Sequence, residues 1–491
     1  MEKKLKPKFD FEKSGIEINP EEIRKEAKRL LESFASKPHG KILSLLLEQI
    51  EVVNFRELAN ITDEKEKLGQ KHYLICVNEQ IMKIAHQNNW KLCKSNGLAY
   101  LYNSEYWDPL EDEVLEAFLG SAAEKMGVYK FDAKLYSFRE RLLKQFYAVA
   151  YLPQPNHSNN EVTINLKNGT YVIGFDKRYL KPPDPNDFLC YQLPFDYDPN
   201  AKAPLFENYL EMVQPDKARQ DILAEYLGYL FIKPHVLKLE KALLLFGTGA
   251  NGKSVFFEVV YSLLGGDKNV TNFSLQELTN ESGNYRAALV GKILNYASEI
   301  NAKLNSNTFK QLVSGEPVSA RRLYEQPITI SNYAKFIFNC NELPKEVEQS
   351  HAYFRRFLIV PFDVTIPDDK QDKELSKKII EQELAGVFNW ILKGLDRLLI
   401  NKKFTYSKVV DEHLELYKKM SDSVQMFLEE EGYQKSTEYF IPTKTIYQGY
   451  RLYCQEGGYV AVSRKNLCER LRRLEYIITK KSDGLVVYMQ K

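Results

Sequence analysis

The chain has 491 residues, with 68 Lys+Arg against 66 Asp+Glu for a formal net charge of +2. That length supports about three domains with ample core, and so balanced a charge excludes a uniformly basic nucleic-acid binder, leaving only local basic clusters. The six cysteines (Cys76, Cys93, Cys190, Cys340, Cys454 and Cys468) form no C-x-x-C pair, which excludes a structural zinc site of that type and predicts reduced thiols in a cytosolic compartment. No apolar run approaches the roughly 18 residues of a membrane span, and no apolar signal core follows Met1-Glu-Lys-Lys, so a cytoplasmic protein without a membrane partner is expected.

In chain order, residues 1–72 read as a charged helical region. Glu21 to Ser36 has helical apolar spacing (Ile23, Ala27, Leu30, Leu31, Phe34), and Ile42 to Ile50 predicts a second helix. A helical appendage is the plainer reading and a docking or oligomerisation segment the alternative. Residues 73–215 read as an accessory domain, with short strands around Leu98–Trp107 and helices at Glu113–Met126 and Lys134–Tyr147. A hairpin is expected about Asn168-Gly169, followed by a Pro182–Pro185 break. Asp196-Tyr-Asp198 has the D-x-D pattern of some metal sites, but Pro199-Asn200 follow it, so a turn is expected there instead. Helices at Pro204–Met212 and Ala218–Phe231 then lead into a third region, 216–400.

That region opens on the most informative stretch, Lys241–Leu264. The apolar run Ala242–Phe246 breaks into Gly247-Thr248-Gly249-Ala250-Asn251-Gly252-Lys253-Ser254, and helical apolar spacing resumes from Val255. Strand, G-x-x-x-x-G-K-S loop and helix together predict a phosphate-binding loop, whose backbone N–H groups meet phosphate oxygens at a helix N-terminus. Gly247 through Val255 are the candidate nucleotide cradle. Lys253 is expected to reach the β- and γ-phosphates of ATP, and the Ser254 hydroxyl to ligate Mg²⁺.

Downstream, Gly291–Glu299 predicts a strand ending in a carboxylate, placing Glu299 as the general base that polarises the attacking water. Ser298 stands where many such enzymes carry an aspartate, which leaves Mg²⁺ to Ser254, phosphate and water, with Glu299 in a double role. A second buried strand, Ala334–Pro344, ends near Asn341, the candidate sensor of the γ-phosphate, with Asn339 on the same face. Arg355-Arg356 precede a third strand; Arg356 is the expected arginine finger for a neighbouring subunit and Arg355 the alternate. Between them, Phe309–Pro327 predicts a protruding hairpin or loop in which Lys310, Arg321 and Arg322 meet the phosphates of a single strand and Tyr324 meets a base or sugar.

Residues 401–491 predict short helices at Ser423–Glu431, Thr443–Glu456 and Arg464–Leu474. Two strands around Ser482-Asp483-Gly484 follow, a winged-helix arrangement made locally basic by Arg464, Lys465, Arg470, Arg472, Arg473, Lys480 and Lys481.

The motifs in this order resemble those of the superfamily 3 helicases of the AAA+ class, and most closely the branch of poxvirus-type and phage/plasmid primase-helicases. The resemblance is carried by GTGANGKS (247–254), the single-Glu strand ending at Glu299, FKQLVSGEPVSARRLY (309–324), FIFNCNELP (336–344) and FRRFLIVPF (354–362). YLYNSEYW (100–107) and LPFDYDPNAKAPLFENYL (193–210) resemble the accessory domain of that branch. The resemblance implies an α/β AAA+ P-loop NTPase core between a mainly helical accessory region and a winged-helix domain. It further implies a homohexameric ring that hydrolyses ATP between subunits and moves 3′→5′ on one DNA strand, with Lys310, Arg321 and Arg322 in its channel and Arg356 acting in trans. Relatives often carry an N-terminal primase domain; the short charged region here does not match one, so a separate primase or polymerase is the expected partner. An origin-melting initiator or loader, or a DNA-binding scaffold with a regulatory nucleotide site, are the competing readings.

Overall fold

The computed structural model describes residues 38–95, 97–150, 161–174, 177–297, 305–322, 326–344, 347–482 and 484–491. The helix expected at Glu21–Ser36, the pair Ser298-Glu299, and Tyr324 lie outside the described residues. The chain divides into two compact units. The smaller takes in the chain up to Lys91 together with 102–104 and 116–146, and the larger comprises 92–101, 105–115 and 147–491.

Helices build the smaller unit. His39–Gln49 buries Ile42 and Leu46, and Gln70–Gln87 buries Val77, Ile81 and Ala85, each at four-residue spacing. The Lys125 ammonium donates to the carbonyls of Leu47 (2.7 Å) and Glu48 (2.9 Å), closing the C-terminus of the first helix with a cation that suits its dipole.

In the larger unit, Val162–Leu166, Gly169–Ile173 and Arg178–Lys181 form an antiparallel sheet. Its first hairpin turns on Lys167-Asn168, one residue earlier than the Asn-Gly pair, because Leu166 pairs with Gly169. Gly169 has φ +139°, and a Cβ there would meet the Lys181 carbonyl oxygen at 2.6 Å. At the D-x-D sequence the Asp198 carboxylate accepts the Asn200 N–H at 2.9 Å, an Asx turn.

The centre of the unit is a five-stranded parallel sheet. Its order is Phe357–Pro361, Ala242–Phe246, Lys335–Cys340, Leu294–Ala297, Val270–Thr271. Ala242–Phe246 comes first in the chain yet lies between the last two strands, so this is an α/β NTPase-like core with its connections diverging on either side of that strand. Such a point opens a crevice at the carboxyl ends of the strands. The strand is apolar throughout because both faces are covered. Leu243 and Leu245 join Phe256, Val259 and Val260 of the helix Lys253–Leu263 in one core. Ala242 and Leu244 join Phe309, Leu312 and Tyr353 in the other.

Two helices, Lys217–Tyr229 and Leu384–Asn401, pack tightly through glycines. A Cβ on Gly228 would meet the Leu395 Cβ at 2.7 Å, and one on Gly394 would meet the Ala224 carbonyl carbon at 2.4 Å. The same pair buries Glu225 completely, satisfied by the Arg397 guanidinium (2.6 Å) and by the Thr405 N–H (2.7 Å) and hydroxyl (2.6 Å).

At the C-terminus, Ser423–Glu430, Thr443–Glu456 and Arg464–Arg473 pack with an antiparallel sheet ordered Gln434–Pro442, Gly484–Gln490, Ile478–Lys481. The strand Gln434–Pro442 is absent from the sequence expectation; its residues are mostly exposed and its pairing breaks register between Lys435 and Phe440.

Substitution of Gly394 by Val forces the two helices apart or bends one of them. We expect it to destabilise the larger unit by roughly 1–3 kcal/mol, read as a lower urea midpoint, whereas an unchanged midpoint contradicts this packing.

Candidate functional site

The glycine loop read as a candidate phosphate cradle sits where the sheet topology opens, at the carboxyl end of Ala242–Phe246, and the helix Lys253–Leu263 begins directly after it. Neighbouring elements hold its backbone. The Gly247 N–H donates to the Cys340 carbonyl (3.1 Å), the Ile366 N–H to the Ala250 carbonyl (2.8 Å), the Asn251 amide to the Phe362 carbonyl (3.0 Å), and the Tyr209 hydroxyl to the Gly252 carbonyl (2.7 Å). Gly252 has φ +83°, and a Cβ there would strike Val213 at 2.7 Å, so this turn requires glycine. Gly249, at φ +113°, faces open space. Thr248, Gly249, Ala250 and Ser254 are exposed.

Lys253 is buried, and its ammonium donates to the Gly247 carbonyl inside the loop. Burial holds its pKa below the ordinary lysine value. Among the described residues no carboxylate lies within ion-pair distance of it. A buried cation at a helix N-terminus, under an exposed backbone concavity, suits an anion, and phosphate oxygens fit that donor set.

Asn339 lies within the strand Lys335–Cys340, and its amide oxygen accepts the Tyr296 hydroxyl at 3.0 Å. Asn341 follows the strand and is exposed at the same end of the sheet as the phosphate loop. The structure therefore sets Asn341 just past the carboxyl end of the central strand and engages Asn339 within that strand. Val255, in the first turn of the helix, is half-buried against the core.

The arginines stand at the other end. The Arg356 carbonyl accepts the Ala242 N–H (2.8 Å), at the amino end of the phosphate-loop strand, so within one chain the loop and the arginines are a strand length apart, about 15 Å at 3.3 Å per residue. Arg356, expected as the finger, is buried and occupied. Its guanidinium donates to the Lys310 carbonyl (3.2 Å), the Ser314 hydroxyl (2.8 Å) and the Ala352 carbonyl, with Glu240 at 3.6 Å. Arg355 is far more exposed, 44% against 8% for the side chains, and pairs with Glu240 at 2.5 Å. The accessible guanidinium is thus that of Arg355, and Arg356 is built into the fold.

Lys310 also departs from its expected role. It lies on the helix Ser306–Val313, and its ammonium pairs with the Glu348 carboxylate at 2.9 Å. Burial opposes ionisation of Glu348, but the Ser350 hydroxyl and Lys310 hold its pKa below the usual value. The hairpin is Val318–Ala320 paired with Ile328–Ile330; Arg321 and Arg322 follow its first strand, Arg321 exposed and Arg322 half-buried. In the C-terminal unit of helices and sheet, Arg470 pairs with Asp422 (2.9 Å) and Lys481 lies over the Phe440 ring (3.5 Å). Arg464, Lys465, Arg472 and Lys480 are exposed. Sequence reading missed Glu240, the carboxylate that pairs with Arg355, although the charged pair Glu240-Lys241 directly before an apolar strand is a visible signal.

Arg356→Ala leaves buried carbonyl and hydroxyl groups without their donor. It should lower the urea midpoint by the equivalent of roughly 2 kcal/mol or more, while Arg355→Ala changes it little. Equal effects of the two substitutions would contradict the assignment.

Comparison with known proteins adds five observations. Residues 79–215 match a family described as D5 N terminal like, and residues 245–356 match a family of unknown function, DUF5906. "Putative helicase L207/L206" of Acanthamoeba polyphaga mimivirus is 24% identical over 322 residues, 60% of this chain and 33% of that protein. "Putative helicase 184R" of Invertebrate iridescent virus 6 is 24% identical over 317 residues, 54% of this chain and 31% of that protein. The chain thus spans about a third of the length of these curated relatives. An apo structure of the NrS-1 C terminal region is 14% identical with a TM-score of 0.46, covering 83% of this chain and 97% of that one. No helix among the described residues is long and apolar enough to cross a membrane. The two family matches and the two viral relatives bear out the resemblance of this chain to the phage and viral superfamily 3-type helicases.

Proposed function

We propose that the chain is an ATP-driven DNA helicase motor of a virus, phage or other mobile element, with the AAA+ superfamily 3 core in residues 216–400. In this reading it works as a homohexameric ring moving 3′→5′ on single-stranded DNA. The observation that carries the reading is the placement of a phosphate loop and an exposed arginine at opposite ends of one strand. A chain built this way cannot bring its own arginine to its own nucleotide, and a neighbouring copy in a ring can.

Each residue then has a chemical task. The loop amides and Lys253 bind and orient the triphosphate, which places the γ-phosphoryl group for in-line attack. Mg²⁺ held at Ser254 would supply charge neutralisation at the phosphate oxygens. Asn341 orients the attacking water from the carboxyl end of the central strand, and Glu299 accepts its proton. Arg355 of the neighbouring copy, rather than Arg356, stabilises the charge that develops on the transferred group. Arg321 and Arg322, with Tyr324, make the single-strand contact; the Lys310 ammonium, held by Glu348, is left out of it. The C-terminal helices and sheet are a winged-helix unit whose exposed Arg464, Lys465, Arg472 and Lys480 meet duplex phosphates.

The test is strand displacement on a fork with a 3′ tail, in ATP and Mg²⁺. Wild-type protein is expected to displace the strand with ATP turnover stimulated by single-stranded DNA. Lys253→Ala is expected to lose turnover by at least about a hundredfold, since it removes the buried cation opposite the phosphates. Undiminished unwinding by Lys253→Ala sinks the mechanism. Stimulation by one duplex sequence alone would favour an origin-melting role.

A further inference from the structure

The two residues immediately before the phosphate-loop strand grip the accessible arginine from both ends. The Glu240 carboxylate pairs with the Arg355 guanidinium at 2.5 Å. The Lys241 ammonium donates to the Arg355 carbonyl at 2.6 Å and to the Phe357 carbonyl at 3.3 Å. Glu240 is itself set in place. Its backbone has φ +54°, an unusual conformation for a residue with a side chain, and its side chain is only 16% exposed, with Lys238 at 3.3 Å and Arg356 at 3.6 Å. Arg356 in turn ties this cluster to Lys310 and Ser314, at the end of the helix that leads to the Arg321-Arg322 hairpin.

A carboxylate held this way has two effects on Arg355. It limits the rotamers of a long, half-exposed side chain, and it fixes where that side chain leaves the surface. Orienting a charge before reaction is the main way a protein makes it count in a transition state. The same carboxylate is joined through one five-residue strand to the chain's own phosphate loop. Any displacement of that strand carries the arginine offered to the next copy along with it.

We propose that Glu240 is a positioning residue, setting Arg355 for the nucleotide site of the adjacent copy and linking that arginine to the chain's own phosphate loop. This rests on the reading of Arg355 as an arginine supplied in trans.

The test uses Glu240→Gln, which keeps size and backbone preference and removes the charge, with Glu240→Asp as the variant that keeps the carboxylate. ATP turnover and binding of a fluorescent ATP analogue are measured for both, and for Arg355→Ala. Glu240→Gln should lose kcat by about tenfold or more, within the range an arginine finger commands, with analogue affinity unchanged within about twofold and partial recovery in Glu240→Asp. Mixed assemblies of Glu240→Gln and Lys253→Ala chains, purified through two different tags, should regain turnover. In them the intact loop of the first chain meets the properly held arginine of the second. Loss of analogue affinity in Glu240→Gln with no recovery in the mixed assemblies overturns the proposal and makes Glu240 a support of its own loop. Full turnover by Glu240→Gln alongside a defective Arg355→Ala overturns the positioning role and leaves the arginine in trans standing. Full turnover by Arg355→Ala overturns the reading beneath both.

Discussion

Everything in the larger unit depends on the burial of one strand. Ala242–Phe246 is covered on both faces and flanked by parallel strands on both edges, so its two ends are the only places where its backbone opens to function. At the carboxyl end the chain turns through glycine conformations into a helix. At the amino end it carries a carboxylate and an ammonium that hold Arg355. Burial supplies the rigidity, since a strand with both ladders filled and both faces packed cannot shift one end without the other. The chemistry is placed at the ends because a packed interior leaves no room for it.

The surrounding packing serves the same strand. The glycine loop is held by Tyr209, by Cys340 and by the segment from Phe362 to Ile366, which together fix its shape. The glycine-lined crossing of Lys217–Tyr229 and Leu384–Asn401 supplies a rigid layer within the same core as the loop helix. Preorganisation of this kind reduces what binding must spend on ordering the loop.

Much of this was legible in the sequence because it depends on local residue order. The unbroken apolar run Ala242–Phe246 marked a strand, the glycine loop marked the turn, and helical apolar spacing marked the helices. What stayed illegible depends on partners distant in the chain. Lys310 looks like a free cation until Glu348, 38 residues away, is found against it. Arg355 and Arg356 are adjacent and chemically identical, and only the fold shows that one is buried among carbonyls while the other reaches solvent. The strand Gln434–Pro442 carries no alternation, because most of its side chains face water and its ladder is bulged. The hairpin turn moved by one residue from the Asn-Gly pair because register, fixed across the sheet, decided which residues turn.

The central claim is that a complete nucleotide site takes residues from two copies of the chain, since Lys253 and Arg355 lie at opposite ends of one buried strand. The most direct measurement is ATP turnover per chain across a dilution series, with assembly state followed by mass in the same samples. Turnover per chain should be negligible for the monomer and rise with assembly to a plateau. Turnover that stays constant down to concentrations at which only monomers remain would contradict the account.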